Sequence, residues 1–180
     1  MPCAASRLQC RPMSRDAHVL RELFEVASLG APENAVGFLF WRVLHRYVRE
    51  IDLALATLDL THLQFETLIQ AAWLGRSSEQ VTQSEIARFG DIHPMQISHM
   101  LKTLEEKGLV ARVPSRSDKR VKCVKITAPG LSALRRGLPV VIDVQRRFFG
   151  EEGRVGGSFL TALLRLDRES GDEAKPASVE

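Results

Sequence analysis

The chain has 180 residues, 44% apolar and 26% charged, with a net charge of +3 and a pI near 9.0. That balance excludes a disordered or membrane-embedded chain and fits one domain with its own core. Cys3, Cys10 and Cys123 form no Cys-x-x-Cys pair, which excludes a disulfide framework, and no apolar run reaches secretory or membrane-spanning length. A cytoplasmic protein without membrane contact is the expectation.

Residues 1–16 mix Pro, Ser, Arg and Cys without periodicity and read as a tail. Residues 17–28 predict a short amphipathic helix ended by Gly30 and Pro32. From about Asn34 to Thr57, Val36, Phe40, Val43, Leu44, Tyr47, Ile51 and Leu55 recur at the spacing of one helical face. Such a helix is roughly 35 Å long, more than a small core needs.

Thr61 and Gln64 have capping-box spacing and open a second helix with Phe65, Leu68, Ile69 and Ala72 on its face. Thr82 and Glu85 repeat the device before a short helix that stops at Gly90. Pro94 opens a further helix and Gly108 closes it. Residues 109–113 and 121–127 are rich in β-branched side chains around the polar turn Pro-Ser-Arg-Ser-Asp-Lys-Arg, the pattern of a hairpin. Residues 131–149 and 158–168 predict two more helices, the first bent at Pro139. The expected fold is mainly α with a small β-hairpin wing: a winged helix-turn-helix joined to a further helical region.

Charge is not spread evenly. From Lys102 to Lys125 there are eight basic residues against three acidic ones, a local +5 on a chain that totals +3. A cationic patch on a mildly acidic body points to a polyanion. On the helix opened by Pro94, Ile97, Met100, Leu101 and Leu104 form an anchoring stripe. Met95, Gln96, Ser98 and His99 face away from it, types that can touch base edges in a major groove. Alone, that face is only the solvated side of an amphipathic helix; the basic hairpin directly after it makes it a DNA-reading face. Phosphate grip is expected from Lys102, Arg112, Arg116, Lys119 and Lys122. Asp118 is placed to orient Arg120, which suits a narrow minor groove.

The segments "LTHLQFETLIQAAWL", "VTQSEIARF" and "MLKTLEEKGLVARVPSRSDKRVKCVKITAPG" together resemble the MarR family of bacterial transcriptional regulators over about residues 35–168. Its most specific parts are "LEEKGLV", the "SDKR" wing and the "KITAPG" strand exit, with Ile126 in place of the usual Leu and Pro129 in the exit turn. The resemblance implies a homodimer reading an inverted repeat in double-stranded DNA. Residues 34–60 and 129–170 would then be the dimerisation helices, 61–128 the DNA-binding domain, and 1–33 and 171–180 the terminal segments. The stripes Leu131, Leu134, Leu138, Leu160, Leu163 and Leu164 would serve the dimer.

The family commonly answers to aromatic acids or phenols, and the matching positions are Trp41, His45, His62 and Phe65. The implied function is a repressor released by such a ligand. Two alternatives stay open: a redox-responsive regulator through Cys123, read as exposed between Lys122 and Lys125 where cations favour the thiolate, and a winged-helix protein-interaction module. No nucleophile–base pair, no phosphate-binding Gly-rich loop and no zinc-ligand spacing among His18, His45, His62, His93 and His99 is present, so no enzyme, metal or cofactor is expected.

Overall fold

The computed structural model describes residues 15–27, 31–78, 80–115 and 121–173. Seven α-helices and one hairpin are described: α1 (Arg15–Ala27), α2 (Val36–Leu55), α3 (His62–Gly75), α4 (Gln83–Phe89), α5 (Pro94–Glu106), β1 (Val110–Pro114), β2 (Lys122–Ile126), α6 (Ala128–Phe149) and α7 (Ser158–Glu173). The chain divides into two compact units, residues 1–46 and 47–180, with the division inside α2.

In the first unit apolar side chains stay wet. Leu20, Leu23 and Phe24 of α1 and Val36, Phe40 and Trp41 of α2 are all exposed. The amphipathic pattern therefore sets up both helices, yet among the described residues of this unit none is buried in a single copy.

The second unit holds the core. Ile51 and Leu55 from the end of α2 meet Phe65 and Leu68 of α3, Ile86 of α4, and Ile97, Leu101 and Leu104 of α5. Val110 and Val124 of the hairpin and Leu134, Val141 and Val144 of α6 close it. Both capping boxes form. The Thr61 hydroxyl accepts from the Gln64 amide at 3.3 Å while Gln64 Oε1 accepts from the Thr61 amide at 3.2 Å. Thr82 and Glu85 make the same reciprocal pair at 3.2 and 2.7 Å. Each satisfies amides that a helix start leaves without partners.

The hairpin is antiparallel, pairing Val110 with Ile126, Arg112 with Val124 and Pro114 with Lys122. Its free edge is not left open on β2: the Val124 amide donates to the Val81 carbonyl at 2.7 Å, and Thr82 bridges to Cys123. A short run before α4 thus lies along β2.

Two expectations change. "TAPG" is no exit turn; it is the first turn of α6, which starts at Ala128, with Thr127 as N-cap and Pro129 in the opening positions where its missing N–H costs nothing. The Thr127 hydroxyl donates to the Gly108 carbonyl at 2.7 Å and accepts from the Gly130 amide at 3.1 Å, tying the end of α5 to the start of α6. Helix α6 runs through Pro139 to Phe149 as expected, whereas α7 reaches Glu173, past the predicted end at 168.

Gly130 is the residue this junction cannot replace: a Cβ there would overlap the Leu109 carbonyl oxygen, a backbone atom that cannot rotate away. Gly130→Ala is expected to cost about 1–3 kcal/mol of stability, measured by urea denaturation; an unchanged midpoint would refute the close approach.

Candidate nucleic-acid interface

Helix α5 is fixed by its inner face. Ile97, Leu101 and Leu104 are fully buried, and their spacing leaves the opposite face in water. There Met95 is 76% exposed, Gln96 and His99 are exposed and Ser98 is half-buried. The four residues expected to read bases thus lie on the turns facing away from the core. The helix begins at His93, whose Nδ1 accepts from the Met95 amide at 3.3 Å. Sequence reading had no role for this histidine; a Ser, Asp or Asn is the usual signal at that position.

The far end of α5 is clamped by charge. The Lys107 ammonium lies 3.0 Å from Asp59 Oδ2, also reaches the Asp59 carbonyl, and sits 3.4 Å from Gln64 Oε1. Asp59 holds a left-handed backbone with φ of 52° between α2 and α3. Gly108 follows with φ of +70°, the conformation that lets the chain leave the helix and enter β1.

Not every cation faces outward. Lys102 makes only a loose, well-exposed pair with Glu106 at 3.8 Å, and Lys122 is exposed at the start of β2. Arg112, expected to grip phosphate, is instead held by Glu105. Its Nε and Nη2 donate to Oε2 at 2.8 and 2.6 Å, and its backbone amide donates to Oε1 at 3.1 Å. Sequence separation hid this pairing, because it forms only once β1 folds back on α5. Arg116, Asp118, Lys119 and Arg120 lie outside the described residues. The described part of the hairpin is closed by the Ser115 amide donating to the Val121 carbonyl at 2.8 Å, and the Ser115 hydroxyl donates to Gln80 Oε1 at 2.7 Å.

Cys123 departs from its expected surroundings. It is 2% exposed, because the Val81–Thr82 run pairs along the edge of β2 that was read as open. A thiol so enclosed is not the solvent-facing group that a peroxide sensor in the wing requires. Cys3 and Cys10 lie outside the described residues.

The ligand candidates fare unequally. Trp41 and His45 pack on one exposed helix turn with ring centroids 4.1 Å apart and planes tilted by 39°, and His45 Nδ1–H donates to the Trp41 carbonyl at 2.8 Å. His62 lies on α3 in a polar cluster that sequence reading missed. Its amide donates to Asp52 Oδ1 at 2.5 Å, its Nε2 is 3.7 Å from Glu66 Oε1, and its ring meets the edge of Tyr47. Burial pushes the Glu66 carboxyl above its usual range, with His62 opposing, and burial followed by Glu66 raises the Tyr47 phenol. Phe65 is fully buried in the core, and a Cβ on Gly137 of α6 would overlap its ring.

The Arg112 hydrogen bonds hold the Glu105 carboxyl below its ordinary range. A carboxyl depressed by folding adds stability above its unfolded value and loses it as pH falls through the folded value. Glu105→Gln is therefore expected to lower stability at neutral pH by about 0.5–1 kcal/mol, a size discounted because the pair is partly solvated. The difference from wild type should vanish in acid; thermal melts across pH check it, and a pH-independent difference would refute the assignment.

Among the described residues no helix is long and apolar enough to cross a membrane. A family model for MarR matches residues 60–122, the segment from the end of the α2–α3 joint to the start of β2. The HTH-type transcriptional regulator YdcH of Bacillus subtilis (strain 168) is 32% identical over 140 residues, 78% of this chain and 95% of that protein. The crystal structure of CouR from Rhodococcus jostii RHA1 bound to p-coumaroyl-CoA has a TM-score of 0.65 at 27% identity, covering 83% of this chain and 99% of CouR. That of a MarR-family transcriptional regulator from Rhodococcus sp. RHA1 has a TM-score of 0.63 at 26% identity, covering 82% and 99%. With the buried triad of α5, the wet face opposite it and the wing that follows, these likenesses make the chain a DNA-binding transcriptional regulator that belongs to the MarR family.

Proposed function

We propose that the chain acts as a homodimeric repressor that binds an inverted repeat and is released by a small organic ligand. The observation that carries this reading is α5, sealed on one side by three fully buried side chains and wet along Met95, Gln96 and His99 on the other. In this reading residues 61–128 read DNA, with Lys102, Lys122, Arg116 and Lys119 on phosphates and Arg120, oriented by Asp118, in the minor groove.

Residues 34–60 and 129–170 pair two copies. Support comes from apolar side chains that one copy leaves in water, Val36, Phe40 and Leu44 on α2 and Leu138, Ile142 and Leu164 on α6 and α7. A two-fold pair sets two recognition helices about 34 Å apart, one DNA turn. CouR, 27% identical, carries p-coumaroyl-CoA, which supports a small-molecule signal here as well. The buried Cys123 gives the redox alternative no such support.

Fluorescence anisotropy with the DNA upstream of the chain's own gene, against a scrambled duplex, tests the reading. Affinity is expected to fall by about 10³–10⁵ between 50 and 200 mM salt if 6–10 phosphates are held. Gln96→Ala and Arg120→Ala should each weaken specific binding by about 1–3 kcal/mol without dissociating the dimer. Equal, weak binding to both duplexes would favour the protein-interaction module.

A further inference from the structure

The start of α5 has no backbone donor left to offer. Pro94, the first residue of the helix, has no N–H, and the next amide, Met95, donates to His93 Nδ1 at 3.3 Å. The Gln96 and Ile97 amides both donate to the His93 carbonyl, at 2.9 and 3.2 Å. A helix start ordinarily receives an anion on such amides. Here they are taken. Pro94 is also held from α4, its carbonyl accepting from Gln83 Nε2 at 3.1 Å.

One donor remains at this end, on the His93 ring. Nδ1 accepts from the Met95 amide only while it carries no proton, so the cap leaves the ring hydrogen on Nε2. An imidazole differs from the shorter Ser or Asp cap in having a second polar atom on its far side. His93 is exposed, and among the described residues Nε2 has no partner. The ring thus carries an N–H at the leading end of the helix that presents Met95 and Gln96. In a major-groove helix that end meets the DNA, and most hydrogen bonds to a duplex go to its backbone. A single N–H cannot make the paired contacts that separate bases, whereas any phosphate oxygen accepts it.

We propose that His93 is a phosphate-contacting residue: Nδ1 caps α5 while Nε2–H donates to a backbone phosphate oxygen at the edge of the groove. The cap selects the tautomer, so the bond that fixes the helix start also prepares the one that fixes its register on DNA. This assignment rests on the reading of α5 as the DNA-reading helix, and it adds a residue outside Met95, Gln96, Ser98 and His99.

The test uses the full chain and separates the two roles of the ring. His93→Asn keeps a side-chain cap, since Asn is among the best residues for one, but ends short of the position of Nε2. His93→Ala loses both. Urea denaturation should show His93→Asn as stable as wild type and His93→Ala less stable. Anisotropy is then followed on the DNA upstream of the chain's own gene and on the scrambled duplex. Both variants should bind about tenfold or more weakly, by the same factor on the two duplexes, as the loss of a phosphate contact requires. Nitrogen NMR of the wild-type imidazole should place its hydrogen on Nε2. His93→Asn that binds like wild type makes the ring a cap and nothing more. A loss confined to the upstream DNA makes it a base contact, and a hydrogen on Nδ1 removes the bond that orients it. Each of these overturns the proposal. Wild type without sequence-selective binding rejects the DNA reading beneath it instead.

Discussion

The rotation of one helix about its axis governs most of what this chain can do. Ile97, Leu101 and Leu104 are withdrawn completely from water, which favours this one orientation of α5 by about 5–9 kcal/mol of transfer free energy as an upper bound. A turn of α5 by a single residue, about 100°, would bring Ser98 and Lys102, or in the other sense Gln96 and Thr103, toward the core and expose aliphatic side chains. The outward face is therefore a consequence of the inward one. Gln96, Ser98 and His99 are presented because three neighbours are hidden.

Charged groups fix the C-terminal end of that helix and divide the cations into two classes. Lys107 and Arg112 are engaged by Asp59 and Glu105, so they set the junctions from α5 back to the α2–α3 joint and forward to the wing. Lys102, only loosely paired with Glu106, and Lys122 stay in solvent, where an anion can reach them. Charge counting along the chain treats all four alike. Only the geometry of the carboxylates separates a structural cation from an available one, and it does so at hydrogen-bond distances that the fold creates.

The apolar surplus follows a similar division. Helix α2 is amphipathic along its whole length, yet only Ile51 and Leu55 near its end enter the core. The exposed remainder, with Leu138, Ile142 and Leu164, is more hydrophobic surface than solubility favours in a lone copy.

Much of the fold was legible in the sequence because its signals are local. Capping boxes at Thr61 and Thr82, Pro94 inside the start of α5 and Gly108 past its end each act over a few residues, and helical periodicity gave the buried triad of α5 directly. The tertiary structure alone decided what depends on segments distant in the chain. It buried Cys123 by laying Val81 and Thr82 along β2, turned "TAPG" into a helix start through Gly108 and Leu109, took Arg112 for Glu105, and enclosed Phe65 against Gly137. The physical reason is common to all four. Alternation and spacing say which side chains share a face, but burial and pairing depend on what the fold brings against that face.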